Sequence, residues 1–398
     1  MFGYRTLDCQ LAGGLSSMRC IMSLESNGVK NPIGRVAFLW SPPSLHWRSS
    51  GANPYAGLLA EELASHGVRV DARPDTNLRF VWTFPRSYDV IHFNWIPRLY
   101  EHQHPVVAMF RLLAFGFTLL WARVRGFRIV WTMHNVVPHE QLRASHGLLA
   151  RRILIALADV VICHCEYARQ VLGRKFGRVE CVEVIPHGSF ATAYPRDATK
   201  AEARRAFDIP NDVFVYGHFG NIRSYKGVEN LIAEFSAIKG SDLRLLIAGA
   251  LHANYDGPLR SPTMDDPRVI AHLRHIADEE VQLVMAAVDV LVLPFVDTLT
   301  SGSAVLALGY GTPIVMPCLG CLPELVGTGA AAISYDPDDP TGLQRALKEA
   351  RVIDIDAART AALERDRLLN WSRIASKKSC RTRTPNKALG QVEHGAWI

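Results

Sequence analysis

Apolar positions in this chain fall into short runs separated by turns rich in glycine, proline and polar residues, and each run has the length of a buried strand. From Arg35 the sequence reads RVAFLW, a turn-rich loop SPPSLHWRSSGANPY, an amphipathic helix from Ala56 to Ser65 stopped by Gly67, and then VRVDA. The runs YDVIHFNW, FRIVWTM, DVVICHC and CVEVIP continue the series, with a helix predicted from about Leu148 to Leu157. Strand, helix, strand units in this order predict parallel, doubly wound α/β layers. A polar stretch over 189–211 predicts a linker with a short helix. The pattern then restarts with VFVYGHFG, a helix over 228–238, LRLLIAGA, VIAHL, DVLVLPF and AAISY, and 341–350 and 355–374 read as helices. The predicted organisation is a leader over 1–33 and a first Rossmann-like domain over 34–188. After the linker come a second such domain over 212–350, a closing helix over 351–375 and a basic tail over 376–398 with the composition of disordered chain. Two domains suit 398 residues.

Four strands of the first domain end in histidine-bearing segments: His92 with Asn94 and Trp95, His134 followed by His139 and Glu140, His164, and His187. One such histidine is ordinary structure; four at one edge of one sheet point to a cleft. In the second domain, Val290 to Glu324 opens as a strand, passes through Ser301, Gly302 and Ser303, and enters a helix that closes at Gly309 and Gly311. Unpaired N–H groups at such a turn, with the helix dipole behind them, favour an anion at the carboxyl edge of the sheet. The plainer reading is a buried strand and helix with serine as the cap.

Charge changes the picture at one place. Between residues 90 and 152 eight arginines face two glutamates, an excess as large as the +6 of the whole chain. No nucleic-acid-binding motif accompanies it. The same region holds VVAMFRLLAFGFTLLWA, Val106 to Ala122, which sits at the lower limit for spanning a bilayer and carries Arg111 inside. Its two readings are a helix buried in the first domain and a helix with one face pressed into lipid, where Arg98, Arg123, Arg125 and Arg128 suit anionic headgroups. The eight cysteines form no regular framework, which fits a reducing, cytoplasmic setting. Cys318-x-x-Cys321 lacks the second pair of a structural zinc site and reads as a loop.

The order GHFGNIRSYKGVENLI, LLIAG, DEEVQLVMAAVDVLVLPF, SGSAVLALGYGTPIV and LPELV resembles the donor-binding half of GT-B glycosyltransferases, in particular bacterial family-four-type enzymes and exopolysaccharide mannosyltransferases. The resemblance implies two Rossmann-like domains facing across a cleft, the first holding the acceptor and the second a nucleotide-diphosphate sugar, with no metal and no cofactor. By position it implies Arg223 and Lys226 on the donor diphosphate, Gly217 and Gly220 letting the backbone approach, and Ser301, Gly302 and Ser303 on its other side. Glu324 falls where a donor hydroxyl is held. Asn53, His92, Asn94 and Trp95 are the acceptor-side candidates.

Where retaining family-four enzymes carry two glutamates eight residues apart, this chain has Thr298 and Leu306. That departure favours inversion, with a base in the first domain, and the candidates are Glu140, His139 and His134. The implied function is transfer of a sugar, with mannose as the candidate, to a lipid-linked or polysaccharide acceptor, by a protein peripheral on the inner face of the cell membrane. The alternative is a non-catalytic nucleotide-sugar-binding subunit.

Overall fold

A computed structural model describes residues 34–40, 53–74, 78–83, 87–136, 143–260, 266–327 and 329–376. Two six-stranded sheets, parallel throughout, account for the repeated apolar runs. The first consists of β1 (Arg35–Trp40), β2 (Arg69–Pro74), β3 (Val90–Phe93), β4 (Arg128–Met133), β5 (Val160–Cys163) and β6 (Val182–Val184), in the order β2-β1-β3-β4-β5-β6. The second consists of β7 (Phe214–Phe219), β8 (Leu243–Ala248), β9 (Val269–His272), β10 (Val290–Val292), β11 (Ile314–Pro317) and β12 (Ala332–Tyr335), ordered β12-β11-β10-β7-β8-β9. Every residue of β3, β5, β10 and β11 is buried, as expected for parallel strands covered by helices on both faces. The strand order reverses between β1 and β3 and between β7 and β10, which puts a crevice at the carboxyl end of each sheet.

The predicted linker is not a free tether. A capping box at Thr199 and Glu202 starts the helix Lys200–Ala206, whose Arg204 is 1% exposed. Arg204 donates to the Ala287 carbonyl at 3.1 Å and to Asp289 Oδ2 at 2.8 Å, and Lys200 reaches Asp289 Oδ1 at 2.6 Å. The helix therefore belongs to the second domain. The single closing helix expected over 355–374 is two. Ile355–Leu368 packs on Gly302–Tyr310, and Trp371–Ser376 returns to the first domain. There Trp371 Nε1 donates to the Ser189 carbonyl at 2.9 Å, and its ring lies 5.6 Å from that of Tyr55. Gly188 is required by this contact, since a Cβ there would fall 2.1 Å from the indole.

The long apolar helix, Pro105–Val124, is buried along one face only and leaves the other face apolar and exposed. Leu112, Phe115, Leu119 and Ala122 pack into the core of the first domain, while Phe110, Leu113 and Phe117 are 67, 61 and 59% exposed. By length and composition it could cross a membrane, with a mean hydropathy of 1.7. Trp82, half exposed, stacks on Phe117 and Trp121 at centroid distances of 5.6 and 5.7 Å and extends the outer apolar face. Of the arginines around it, Arg123 is held by Asp159 at 2.8 Å, and Arg111 donates to the Glu101 carbonyl at 2.9 Å.

Candidate active site

A cavity of about 850 Å³ lies between the domains, lined by Asn53, Trp95 and Glu101 from the first and by Arg223, Lys226 and Ser303 from the second, among others. The donor side is built from the end of β7. Gly220, at φ +118°, ends the strand, and its N–H donates to the Ala248 carbonyl at 3.0 Å. A tight 3-10 turn, Ser224–Lys226, then brings the chain back to Gly227, whose positive φ of 64° starts the next helix. The Lys226 ammonium returns over Gly220, so that a Cβ on Gly220 would meet Lys226 Nζ at 2.9 Å and Ser303 Oγ at 3.1 Å. Three parts of the chain thus converge on one spot that only glycine leaves open. Burial, with Arg223 beside it, pulls the Lys226 ammonium down to about 8. An anion between Arg223 and Lys226 relieves that cost.

From the opposite side comes the helix Gly302–Tyr310. Ser301 is its cap, accepting from Ala304 N at 3.2 Å, and Ser303 donates from Oγ to the Phe219 carbonyl at 3.0 Å. Gly302 and Ser303 line the cavity, whereas the buried Ser301 fixes the turn. Leu306 lines the cavity too, and the Thr298 hydroxyl is used internally, donating to the Thr300 carbonyl at 3.0 Å. Neither supplies a carboxylate to the site.

Other residues singled out in the sequence lie elsewhere. Gly217 sits inside β7, where a Cβ would strike Val288 at 2.4 Å, so packing accounts for it. Glu324 reaches the first domain instead of the cavity. Its carboxylate accepts from Glu166 N at 2.8 Å and Tyr167 N at 2.7 Å, capping the helix Glu166–Phe176. Beside this cap, Cys165 and Cys321 form a disulfide between the domains, so Cys321 is not the loop thiol expected from its spacing with Cys318, and this pair departs from the reduced thiols expected of the cysteines as a set. Cys318 is exposed and free.

On the acceptor side, Asn53 and Trp95 line the cavity, and His92 and Asn94 are buried behind it. His134 is covered by the Trp95 ring, stacked at 4.7 Å, and is only 6% exposed. It belongs to a buried cluster around Tyr55 with His164 and His187. Burial drives these histidines down, to about 4 for His164 and about 3 for His92 and His187, so all are neutral at pH 7. The Ile185 carbonyl, 2.9 Å from His164 Nδ1, requires that nitrogen to donate, which leaves His164 Nε2 to accept from His134 Nδ1 at 3.3 Å. His134 Nε2 is then an acceptor facing the Asn94 amide, whose oxygen and nitrogen exchange places on a half-turn; Nδ2 is without a partner when Oδ1 faces the ring at 3.0 Å. Both nitrogens of His134 are engaged in holding the cluster together. His139 and Glu140 lie outside the described residues.

Three cavity residues carry no motif that marks them in the sequence, Glu101, His252 and His275, and Asp278 opens the segment DEEVQLVMAAVDVLVLPF without having been singled out for the site. Burial holds the carboxyls of Glu101 and Asp278 above the usual carboxylate range. Among the described residues no three His, Cys, Asp or Glu side chains are grouped to hold a metal ion.

Comparison with known proteins bears directly on this arrangement. Residues 213–350 match the family described as glycosyl transferases group 1, and residues 49–189 match Glycosyltransferase Family 4. The chain belongs to the GT-B glycosyltransferases. Among curated relatives, it is 24% identical over 276 residues to a GDP-mannose:glycolipid 4-beta-D-mannosyltransferase of Xanthomonas campestris pv. campestris, covering 66% of this chain and 72% of the relative. It is 23% identical over 352 residues to a D-inositol 3-phosphate glycosyltransferase of Corynebacterium aurimucosum, covering 82% and 78%. Among solved structures, sucrose-phosphate synthase from Thermosynechococcus elongatus superposes with a TM-score of 0.66 at 20% identity, covering 86% of this chain and 96% of that one. The Anabaena protein HepE in complex with UDP-glucose superposes with 0.61 at 19% identity, covering 86% and 97%. This glycosyltransferase therefore shares its two-domain fold with enzymes of the class over nearly their whole length.

Proposed function

We propose that the protein moves a sugar, with mannose as first choice, from a nucleoside diphosphate sugar to a lipid-linked acceptor in glycolipid or exopolysaccharide synthesis. The observation that carries the reading is the convergence of Lys226 and Ser303 over Gly220 at the carboxyl end of β7, with Arg223 in the same cavity. Two cations and a helix N-terminus around a bare backbone are what a leaving diphosphate needs, and they supply its charge stabilisation without a divalent ion. The name of the Xanthomonas relative supports GDP-mannose and a glycolipid as the first donor and acceptor to try.

Transfer is inverting in this reading, because Thr298 and Leu306 offer no carboxylate on the donor side. The outer face of Pro105–Val124 supports peripheral docking on an anionic membrane on the cytoplasmic side, which brings the cavity to an acceptor whose sugar lies at the bilayer surface. The test is a panel of nucleotide sugars read first by thermal shift and then by nucleotide release with a lipid-linked acceptor. A donor that raises the melting temperature and is consumed only when acceptor is present fits the proposal. Binding of a donor with no turnover on any lipid acceptor refutes it and favours a non-catalytic subunit.

A further inference from the structure

Direct displacement at the sugar carbon needs a proton acceptor on the face opposite the leaving diphosphate. Since the diphosphate seat is formed by the second domain, that group must come from the first. Of the described first-domain side chains lining the cavity, Glu101 alone is a carboxylate or an imidazole; the others are the amides Asn53 and Asn135, Trp95, Arg98 and two prolines. His134, the nearest histidine by sequence logic, is spent on the buried cluster beneath Trp95.

Glu101 is held from both sides. Its N–H donates to the Pro97 carbonyl at 2.7 Å, closing the short helix Pro97–Tyr100, and its carbonyl accepts from Arg111 Nη1 at 2.9 Å. Glu101 lines the cavity, and its Oε1 is buried with no hydrogen-bond partner, so no protein donor occupies that oxygen. Arg151, which donates to the Tyr100 hydroxyl, is the charge that acts on its carboxylate, while Arg111 and Arg143 bind the backbone carbonyls of Glu101 and His102, and Arg98 and Asp278 share the cavity. Arg151 favours the ionised carboxylate, but burial outweighs it, which leaves Glu101 a stronger base than an exposed glutamate.

We propose that Glu101 is the general base of the transfer. Its carboxylate takes the proton of the acceptor hydroxyl as that oxygen's electron pair forms the bond to the anomeric carbon. The bond from that carbon to the diphosphate oxygen breaks, and its electrons leave with the nucleoside diphosphate, beside Arg223 and Lys226. This assignment rests on the inverting transferase reading given above.

The test uses the full chain with the donor found by the panel. Glu101→Gln is expected to lower kcat by about 10²–10⁴-fold, to leave the donor-induced melting shift unchanged, and to abolish the loss of kcat/KM that the wild type shows on acidification. Glu101→Asp should fall between the two. Near-normal turnover of Glu101→Gln, or a loss confined to Glu140→Gln, overturns the assignment while leaving the transferase reading intact. A product that retains the donor's anomeric configuration overturns the assignment together with inversion. Failure of the wild type to transfer sugar from any donor overturns the transferase reading itself.

Discussion

Replacing Gly220 by alanine is expected to damage the donor site through two separable effects. The backbone there has φ +118°, a region L-residues rarely adopt, so strain alone costs on the order of 1–3 kcal/mol. The added methyl also enters the space 2.9 Å from Lys226 Nζ and 3.1 Å from Ser303 Oγ, closer than carbon tolerates, and the flexible ammonium is what gives way. A hydrogen bond to a charged group is worth about 1.5–3 kcal/mol, so losing the lysine contact should weaken the nucleotide sugar roughly ten- to a hundredfold. Gly177→Ala is the control. It too sits at positive φ, +72°, but nothing lies within 4 Å of its new methyl, so it should lose about 1–2 kcal/mol of stability and keep its donor affinity. Calorimetric titration of the donor against both variants, after their melting curves show folded protein, separates strain from displacement. A folded Gly220→Ala variant that binds the donor like wild type would refute the placement of Lys226 on the diphosphate.

Three further expectations follow from the same geometry. The Lys226 ammonium is drawn down to about 8, so in the free enzyme it loses its charge as pH rises through that value. Donor affinity should fall above pH 8 in the wild type but stay flat in Lys226→Met, and parallel profiles would contradict this. Changing Phe110, Leu113, Phe117 and Leu120, all more than half exposed, to serine or glutamine should abolish co-sedimentation with anionic vesicles while leaving the melting temperature within a few degrees. Wild type that ignores such vesicles would dismiss the docking face. Activity should also survive EDTA, and loss with recovery on adding magnesium or manganese would show that the diphosphate is neutralised differently.

The strands and the two-domain plan were legible because parallel strands buried on both faces write themselves as unbroken apolar runs. The loop from Gly220 to Lys226 was legible as chemistry because the turn, the cations and the glycine are contiguous. What escaped the sequence is what depends on distant chain. Trp95 marks the end of β3 plainly enough, but nothing local says that its ring will lie over His134 and withdraw it from the cavity. Gly217 and Gly220 stand three residues apart in one motif, yet Val288 explains the first and Lys226 the second. Glu101 follows a four-residue helix without a motif. Cys165 and Cys321, 156 residues apart, gave no pairing signal, and Glu324 looked like a ligand group until its carboxylate was found on the backbone of the other domain.

That last pair of contacts sets how the molecule can move. The chain passes between the domains twice at one place, near Ser189 and Leu369, whose backbones are hydrogen-bonded at 2.8 Å. Two adjacent crossings make a pivot, and a pivot alone would let the cleft swing wide. The Cys165–Cys321 bridge and the Glu324 cap fasten a different pair of elements, so the swing is stopped by a latch with one covalent and one electrostatic part. With the latch made, the two domains are tied at two separate places. With the sulfur bond reduced, only the glutamate holds, and the domains gain the freedom of a door on its hinge.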